Sequence, residues 1–350
     1  MNNKNVTFLK INDNNNFINN SNSKFFEYHK DLVIDSYADY NLDNTFCIFK
    51  SINDIFYLIY SNHNNSIISY NLSDNKKINE IKYAHDYSIT NYRYFLDKYN
   101  KRDLVLSISC ENNNLKIWDI NNWNCLINLQ FVNERGYLFS AYFLNDNDKN
   151  YIATSNAIEN PEPIKIFDFK GNKIKEIEDS YDITYFIDTY YENAENCELT
   201  DIYIITGNLG YIKSFNYYKT TIYHKYCDNN KKGHCSIIIV NYDEITKLIE
   251  SGFDGKIRIW NFHTGLLIKK ININNSALYG ICKFKEEYIF ISSRDKTIKL
   301  LDLKNGIVLN NLIGHNNRVL CIKYITLPGN GECIISQGFE NEEIKLWINK

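Results

Sequence analysis

Proline, glycine and methionine are scarce in this sequence of 350 residues, which contains 3 Pro, 14 Gly and 1 Met. Such low counts exclude collagen-like proteins and Pro-rich linkers. Hydrophobic residues make up 44% and charged residues 23%, so a wholly disordered chain is excluded as well. The length by itself suggests about two domains, an expectation that the repeat pattern of the chain replaces.

An excess of positive charge is also missing. Lys and Arg total 39 against 42 Asp and Glu, which gives a net charge of -3. Nucleic-acid-binding proteins usually carry a basic stripe or tail, because the neutralisation of phosphates supplies most of their non-specific affinity. We therefore expect no direct nucleic-acid partner.

The sequence has no long apolar run. Apolar runs such as Ile55 to Tyr60 and Ile237 to Val240 are far shorter than the roughly 18 residues that a membrane helix needs. The N-terminus lacks the apolar core of a signal peptide, and Asn2 cannot be myristoylated. We expect a protein of the cytoplasm or nucleus that is not secreted and has no membrane partner.

Cysteine pairs and catalytic motifs are missing too. The nine cysteines have no C-x-x-C spacing, so we expect reduced thiols that serve as small core residues. The nearest approaches to a metal site, His224 with Cys227 and His234 with Cys235, do not provide paired ligands at short spacing. No G-x-S-x-G, P-loop, G-x-G-x-x-G or H-E-x-x-H motif occurs. We expect no metal, no cofactor, no small-molecule substrate, no catalytic residue and no enzymatic activity.

Asparagine is abundant, at about 15% of the chain, and there are 28 tyrosines. Residues 1–24 are rich in Asn and Ser and predict a disordered polar tail. Residues 25–350 contain short runs of Ile, Val, Tyr and Phe separated by Asn, Asp and Gly turns, which predicts a single all-β domain. With so few glycines, Asn can fill turn positions that need left-handed or Asx-type backbone.

One pattern, apolar-polar-apolar followed by a large residue, occurs in seven segments spaced 41 to 49 residues apart. The segments end at Tyr70, Trp118, Phe167, Phe215, Trp260, Leu301 and Trp347. A small hydroxyl residue stands nine positions earlier in five of them, at Ser61, Ser109, Thr206, Ser251 and Ser292. In the other two units, which have longer turns, Thr154 or Ser155 and Ser336 serve instead.

These units resemble WD40 repeats over about residues 31–350. The motif is most complete from Gly233-His234 to Ser251-Gly252-Phe253-Asp254 and Trp260. The resemblance implies a seven-bladed β-propeller, with four strands in each blade. It also implies buried hydrogen-bonded tetrads of His, Ser or Thr, Asp and Trp. The full set is His234, Ser251, Asp254 and Trp260, and two others have Asn in place of Asp: His85, Ser109, Asn112 and Trp118, and His315, Ser336, Asn341 and Trp347.

His234, Ser251 and Asp254 could also be taken for a catalytic triad, but the repeat register favours a structural network. Closure of the ring requires an N-terminal strand as the outermost strand of the last blade, since only three residues follow Trp347. Leu32 to Tyr37 is the favoured candidate, and Val6 to Ile11 is the alternative.

The resemblance places the loops that enter the innermost strands on one face around a central channel. Candidate partner-binding residues there are Tyr87, Arg135, Tyr137, Tyr181, Asp182 and Arg318. Aromatic and Arg side chains are typical anchors of protein interfaces. Acidic turns at 159–163 and 340–343 on the same face favour a peptide with some basic residues.

The sequence therefore predicts a non-enzymatic scaffold or adaptor that binds peptide segments of other proteins within a multiprotein complex. Two alternatives remain. One is the substrate-recognition subunit of a ubiquitin ligase, which Asn121 and His263 disfavour because such propellers usually carry Arg three residues after the Trp. The other is a subunit of an RNA-processing or chromatin complex. A lipid-binding propeller would need a paired-Arg loop, and the loop at Arg135 has a single Arg.

Overall fold

A computed structural model shows an all-β chain of seven four-stranded sheets. The structure describes residues 10–11, 17–18, 26–33, 36–38, 44–131, 137–147, 149–157, 162–192, 201–228, 232–340 and 343–349. Each sheet is one blade, and the seven blades form the β-propeller expected from the repeats. The prediction of fold class is confirmed.

Every blade is an antiparallel meander, and in blades 1 to 6 the chain runs from the innermost strand to the outermost. The strands are Cys47–Lys50, Phe56–Ser61, Ile67–Asn71 and Lys76–Ile81 in blade 1; Asn91–Asp97, Arg102–Ser109, Asn114–Asp119 and Asn124–Gln130 in blade 2; and Tyr137–Asp146, Lys149–Ala157, Ile164–Asp168 and Lys173–Ile177 in blade 3. Blade 4 contains Thr184–Glu192, Asp201–Asn208, Ile212–Asn216 and Thr221–Tyr226; blade 5 contains His234–Tyr242, Ile245–Gly252, Lys256–Asn261 and Leu267–Asn272; and blade 6 contains Leu278–Lys285, Tyr288–Ser293, Thr297–Asp302 and Ile307–Ile313. A 3-10 turn, Glu178–Ser180, precedes blade 4.

Blade 7 combines strands from both ends of the chain. Its inner strands are Val319–Leu327, Gly331–Gly338 and Ile344–Asn349, and its outermost strand is Phe26–Val33. Closure by an N-terminal strand is confirmed, but the strand begins six residues before the favoured candidate. Of the alternative candidate, only Lys10–Ile11 lies within the described residues, and it pairs with Phe17–Ile18 instead.

Alternating aromatic residues explain this choice of strand. Phe26 is buried, and its ring meets those of Phe284 and Phe290 edge-on at 5.3 and 5.0 Å between centroids. Tyr28, two residues along, packs edge-on against Trp347 at 5.8 Å. The favoured candidate has no aromatic pair at this spacing that could cover the apolar face of the blade.

The core is a ring of apolar clusters, one at each boundary between neighbouring blades. Stacked rings mark several boundaries, such as Phe49 on Tyr94 at 4.0 Å and Phe95 on Phe143 at 4.9 Å. Both faces of each sheet are therefore covered by neighbouring blades, which explains the apolar residues on both sides of the third strands.

Asparagine occupies many of the turns. Within the described ranges, five Asn residues have positive φ, at positions 44, 65, 75, 113 and 147. Others, such as Asn62, Asn71 and Asn216, accept hydrogen bonds from backbone N–H groups two residues ahead. Asn can take both roles because its short side chain tolerates left-handed backbone and can mimic a turn.

Candidate functional site

Blade 7 contains the hydrogen-bonded chain that the resemblance implies. His315 Nε2 lies 2.7 Å from Ser336 Oγ, and the indole N–H of Trp347 donates to the same oxygen over 2.8 Å. Because an indole can only donate, the hydroxyl proton of Ser336 can point at the histidine. Asn341, the fourth residue of the predicted set, lies outside the described residues.

Blade 2 has the same chain with a different serine. His85 and Trp118 both bond to Ser107, at 2.7 and 2.8 Å, and not to the predicted Ser109. The histidine is neutral, since burial and the nearby Lys116 lower the pKa of His85 to about 3. The Oγ of Ser109 finds no hydrogen-bond partner among the described residues.

Blade 5, which matched the repeat motif best, does not form the tetrad. His234 Nδ1 lies 3.0 Å from a carboxylate oxygen of Glu250, and Ser251 turns away from the histidine. Asp254 pairs with Arg258 at 2.6 Å instead. The indole N–H of Trp260 has no partner in the part of the chain that the structure describes.

Strand pairing explains both corrections. The residues that face the histidines all pair with the position two before the blade's Trp: Ser107 with Lys116, Ser336 with Lys345, and Glu250 with Arg258. Ser109 pairs two positions away from this point, with Asn114, and so lies on the same face as Ser107 but further along the strand. Ser251 pairs one position away, with Ile257. A shift of one residue moves a side chain to the opposite face of a strand. The spacing of nine residues between the hydroxyl and the end of the repeat includes the turn between the two strands. Because the length of this turn varies, the same spacing does not select the same paired position in every blade.

The hydroxyls on the other face have a different role. Ser251 Oγ donates to the carbonyl of Tyr279 at 2.5 Å, and Ser292 Oγ donates to that of Leu320 at 3.0 Å. Each acceptor belongs to the innermost strand of the next blade. These hydroxyls therefore link neighbouring blades.

The two serines of blade 2 provide a matched test. Replacing Ser107 by Ala is expected to lower the free energy of unfolding by about 1–3 kcal/mol, because it leaves His85 and Trp118 buried without their partner. Replacing Ser109 by Ala should not lower it, because the buried hydroxyl that is removed has no hydrogen-bond partner among the described residues. Urea denaturation followed by tryptophan fluorescence measures both, and equal losses would contradict the assignment.

A cation occupies the polar position of the repeat pattern in six blades. These residues are Lys116, Lys165, Lys213, Arg258, Lys299 and Lys345. Most of them bind acidic residues of nearby loops, as Lys213 binds Asp182 at 2.5 Å and Lys299 binds Asp295 at 2.7 Å. In the sequence pattern this position is recognisable only as polar. The column fixes loops on the face where the candidate residues lie.

Backbone hydrogen bonds show that two kinds of loop share this face. The N–H groups of Phe253, Arg294 and Phe339 lie in the turns between second and third strands. They donate to the carbonyls of Gly233, Ala277 and Arg318, which lie at the entrance to the innermost strands. We call this surface the channel mouth.

Three candidate tyrosines are exposed in the loops at the channel mouth. Tyr87, Tyr137 and Tyr181 expose 49%, 42% and 58% of their surface. They precede or begin the innermost strands of blades 2, 3 and 4. Arg135 lies outside the described residues.

The two remaining candidates are held within the fold. Asp182 accepts hydrogen bonds from the Tyr211 hydroxyl and from Lys213, so it anchors its loop to blade 4. The guanidinium of Arg318 stacks on the ring of Phe339 at 3.5 Å. Arg318 is half-buried, so only part of its surface is available to a partner.

Parts of this chain are similar in sequence to known proteins. No family model matches the sequence. The chain is 28% identical over 103 residues to apoptotic protease-activating factor 1 of Rattus norvegicus, a match that covers 29% of this chain and 8% of that protein. It is 24% identical over 84 residues to the U3 small nucleolar RNA-associated protein 21 homolog of Schizosaccharomyces pombe, covering 24% of this chain and 9% of that protein. The matches thus span under a tenth of the length of these relatives.

Both relatives are WD40-repeat proteins. The seven-bladed structure of this chain is consistent with that similarity. The chain is a seven-bladed β-propeller similar to WD40-repeat proteins. Folds of this type generally serve as interaction scaffolds.

An aromatic row in this propeller was not predicted from the sequence. Tyr137 meets Phe139 edge-on at 6.4 Å, and Phe139 meets Tyr185 at 6.0 Å. Tyr185 lines the central channel. The row therefore leads from the exposed channel mouth to the inside of the ring, and the alternation of aromatics from Tyr137 to Phe139 was the available signal.

A second aromatic group lies on the opposite side of the channel mouth. Phe253 and Phe339 pack around the buried residues Tyr279 and Leu320. In each case the second strand of the blade ends at a glycine and the Phe is the next residue. This Gly-Phe pattern is visible in the sequence.

Other predictions concern charge and metals. Of the acidic turns, Glu162 pairs with Lys165, Glu343 pairs with Lys345, and Glu340 is exposed; positions 159–161 and 341–342 lie outside the described residues.

Eight of the nine cysteines are described, and these are reduced thiols, six of them buried. Among the described residues there is no cluster of three potential metal ligands and no helix that is long and apolar enough to cross a membrane.

Proposed function

We propose that this propeller is a non-enzymatic scaffold that binds a short peptide segment of another protein across the channel mouth. The row from Tyr137 through Phe139 to Tyr185 carries the proposal, since rigid aromatics give large contact area at low cost in side-chain entropy. The exposed Tyr87 and Tyr181 extend this surface over the neighbouring blades. We place the protein in the cytoplasm or nucleus, without a cofactor or a membrane partner.

The charge of the channel mouth favours some basic residues in the peptide. Glu340 is exposed there, and Glu343 and Asp182 retain part of their surface beside their lysine partners. Charge complementarity of this kind speeds association and sets the register of binding more than it adds affinity.

A double substitution of Tyr137 and Arg318 by Ala tests the proposal. Proteins that co-purify from cells expressing the chain naturally should be lost at least tenfold, because both anchors are removed. The control is Tyr99→Ala, which removes an exposed tyrosine from the turn after the innermost strand of blade 2, at the opposite face.

A second pair, Tyr87→Ala with Tyr181→Ala, changes only exposed side chains and so separates lost binding from lost stability. Unchanged co-purification in both double variants, at an unchanged melting temperature, would reject the channel mouth as the binding surface.

A role in an RNA-processing complex is the second candidate. The observation that favours it is the similarity to the U3 small nucleolar RNA-associated protein 21 homolog. Under this proposal the propeller contacts proteins of the complex, and the co-purified set would be enriched in RNA-processing proteins.

A further inference from the structure

The central channel contains a cavity of about 180 Å³. The innermost strands of the blades, or the residues that lead into them, form its wall. The lining includes Asn44, Asn91, Arg93, Tyr142, Asp188 and Lys323. A volume of this size holds about six water molecules at the density of the liquid, or one small organic group.

Four of these side chains form a polar ring at one level of the channel. Arg93, Tyr142, Asp188 and Lys323 occupy the same register in blades 2, 3, 4 and 7. Their partners on the second strands are Leu106, Ala153, Ile205 and Ile335, and these pair in turn with Ile117, Ile166, Ser214 and Leu346. Each of the last four directly precedes the aromatic residue that ends its repeat.

The ring has an excess of positive charge. Arg93 and Lys323 provide two cations, and Asp188 is the acidic residue among the described lining residues. Burial raises the pKa of Asp188, while the charges of Arg93 and Lys323 act in the opposite direction. One carboxylate therefore faces two cations. The guanidinium carbon of Arg93 lies 5.1 Å from the centre of the Tyr142 ring, and Lys323 donates to Asn44 at 2.7 Å.

Two buried polar atoms in this wall are available to a ligand. The Nε of Arg93 and the Oδ1 of Asn91 have no hydrogen-bond partner among the described residues, although both side chains are at least nine-tenths buried. A buried donor or acceptor without a partner costs free energy. One atom requires an acceptor, and the other requires an N–H or O–H donor.

We propose that the channel binds a carboxylate group with an adjacent N–H donor, with the carboxylate held by Arg93 and Lys323 and the N–H donating to Asn91. A guanidinium forms its strongest hydrogen bonds with carboxylates, and a second cation adds to the attraction. The last residue of a peptide has this chemistry, and so does a small N-acyl amino acid. The site adjoins the peptide surface at the channel mouth, since Tyr185 lines the cavity, but its ligand is held by other residues, so either proposal can fail without the other.

Binding of N-acetylglycine compared with N-acetylglycinamide tests the proposal, because the two probes differ only in the carboxylate. Ligand-observed saturation-transfer NMR on the full chain measures both. A probe this small should bind in the millimolar range, and the amide should bind at least about tenfold more weakly. Equal binding of acid and amide would overturn the proposal.

Charge variants locate the site. Arg93→Gln and Lys323→Gln should each weaken N-acetylglycine about tenfold, whereas Asp188→Asn should strengthen it because a like charge is removed. Lys304→Gln, at an exposed position away from the channel lining, is the matched control and should have no effect. If Arg93→Gln lowers the melting temperature, the opposite effects of Lys323→Gln and Asp188→Asn still decide, and the absence of both would reject the site.

The source of the carboxylate is decided by a longer probe. If N-acetyl-triglycine with a free carboxyl end binds more tightly than N-acetylglycine, the ligand is a peptide end that enters from the mouth. If the longer probe binds less tightly, and N-acetylglycine still binds more tightly than N-acetylglycinamide, the ligand is a small carboxylate. Loss of partner capture in the Tyr137 and Arg318 double variant, with N-acetylglycine binding retained, would show that the two sites are separate.

Discussion

Deletion of residues 1–33 is expected to open the ring and leave a chain that aggregates or melts far below the intact protein. This deletion removes the outermost strand of blade 7 and exposes the edge of Ile344–Asn349, together with Trp347. An exposed apolar edge is a template for aggregation. Deletion of residues 1–24 keeps the strand Phe26–Val33 and should melt within a few degrees of the full chain. Differential scanning calorimetry compares the two.

Point substitutions make this test quantitative. Phe26→Ala should lower the free energy of unfolding by about 3–5 kcal/mol, since a buried ring between Phe284 and Phe290 is lost. His29→Ala, at an exposed position of the same strand, is the control and should cost less than about 0.5 kcal/mol. Equal melting of the two truncations, or a Phe26 effect as small as that of His29, would contradict the observed closure.

Arg258→Met is expected to cost about 3–5 kcal/mol, the second large effect. Arg258 is buried in blade 5 and binds Asp228 and Asp254, both at 2.6 Å, with Glu250 at 3.4 Å. The substitution keeps the length of the side chain but leaves these acidic groups without their shared cation. The loss comes from the uncompensated buried charge, not from the removal of a favourable pair.

Two controls separate this cause from simple loss of packing. Lys299→Met changes the equivalent residue of blade 6, whose partner Asp295 is more exposed, and should cost about 1 kcal/mol or less. Adding Glu250→Gln to Arg258→Met should recover part of the stability, because one buried charge is removed. Chemical denaturation measures all three variants, and an Arg258 effect no larger than that of Lys299 would refute the explanation.

The same cluster sets a pH dependence. Burial acts to raise the pKa of Asp228, but hydrogen bonds from Lys270 and Arg258 outweigh it and lower the pKa to about 2. Because this value lies below that of the unfolded chain, near 3.9, the carboxylate stabilises the fold above about pH 4. That contribution is lost as the pH falls towards 2. The Arg258→Met variant should lose less stability than the parent protein over this interval.

The architecture could be predicted from sequence because it depends on patterns that survive local variation. The spacing from Trp118 to Trp347 and the turns between them identify seven blades, whatever the length of each hairpin. Closure by the N-terminal end could be expected as well. The exact strand could not, because it depends on how the rings of Phe26 and Tyr28 fit against residues more than 200 positions away.

The interior contacts were harder to predict because they depend on register. Ser107 and Ser109 are equally good hydroxyl residues, and strand pairing decides between them. Glu250 was missed because a carboxylate beside a serine in an apolar strand gives no sign of facing a histidine. Tyr87, Tyr137 and Tyr181 are exposed, as partner-binding residues must be, and their role stays a prediction. The ion pair of Asp182 with Lys213 was not predicted, because Lys213 stands at a position that the repeat pattern reveals only as polar.

The apolar cluster between blades 7 and 1 also constrains the order of folding. It brings Phe46 and Leu58 against Cys321 and Ile335, so its members are separated by more than 250 residues of chain. Five other clusters join blades 1 to 6 and can form as synthesis proceeds from the N-terminus. The cluster between blades 7 and 1, like the one between blades 6 and 7 that contains Phe26, waits until blade 7 has left the ribosome. Contacts between residues so far apart in sequence form slowly, and until then the growing chain exposes two apolar faces that chaperones would need to shield.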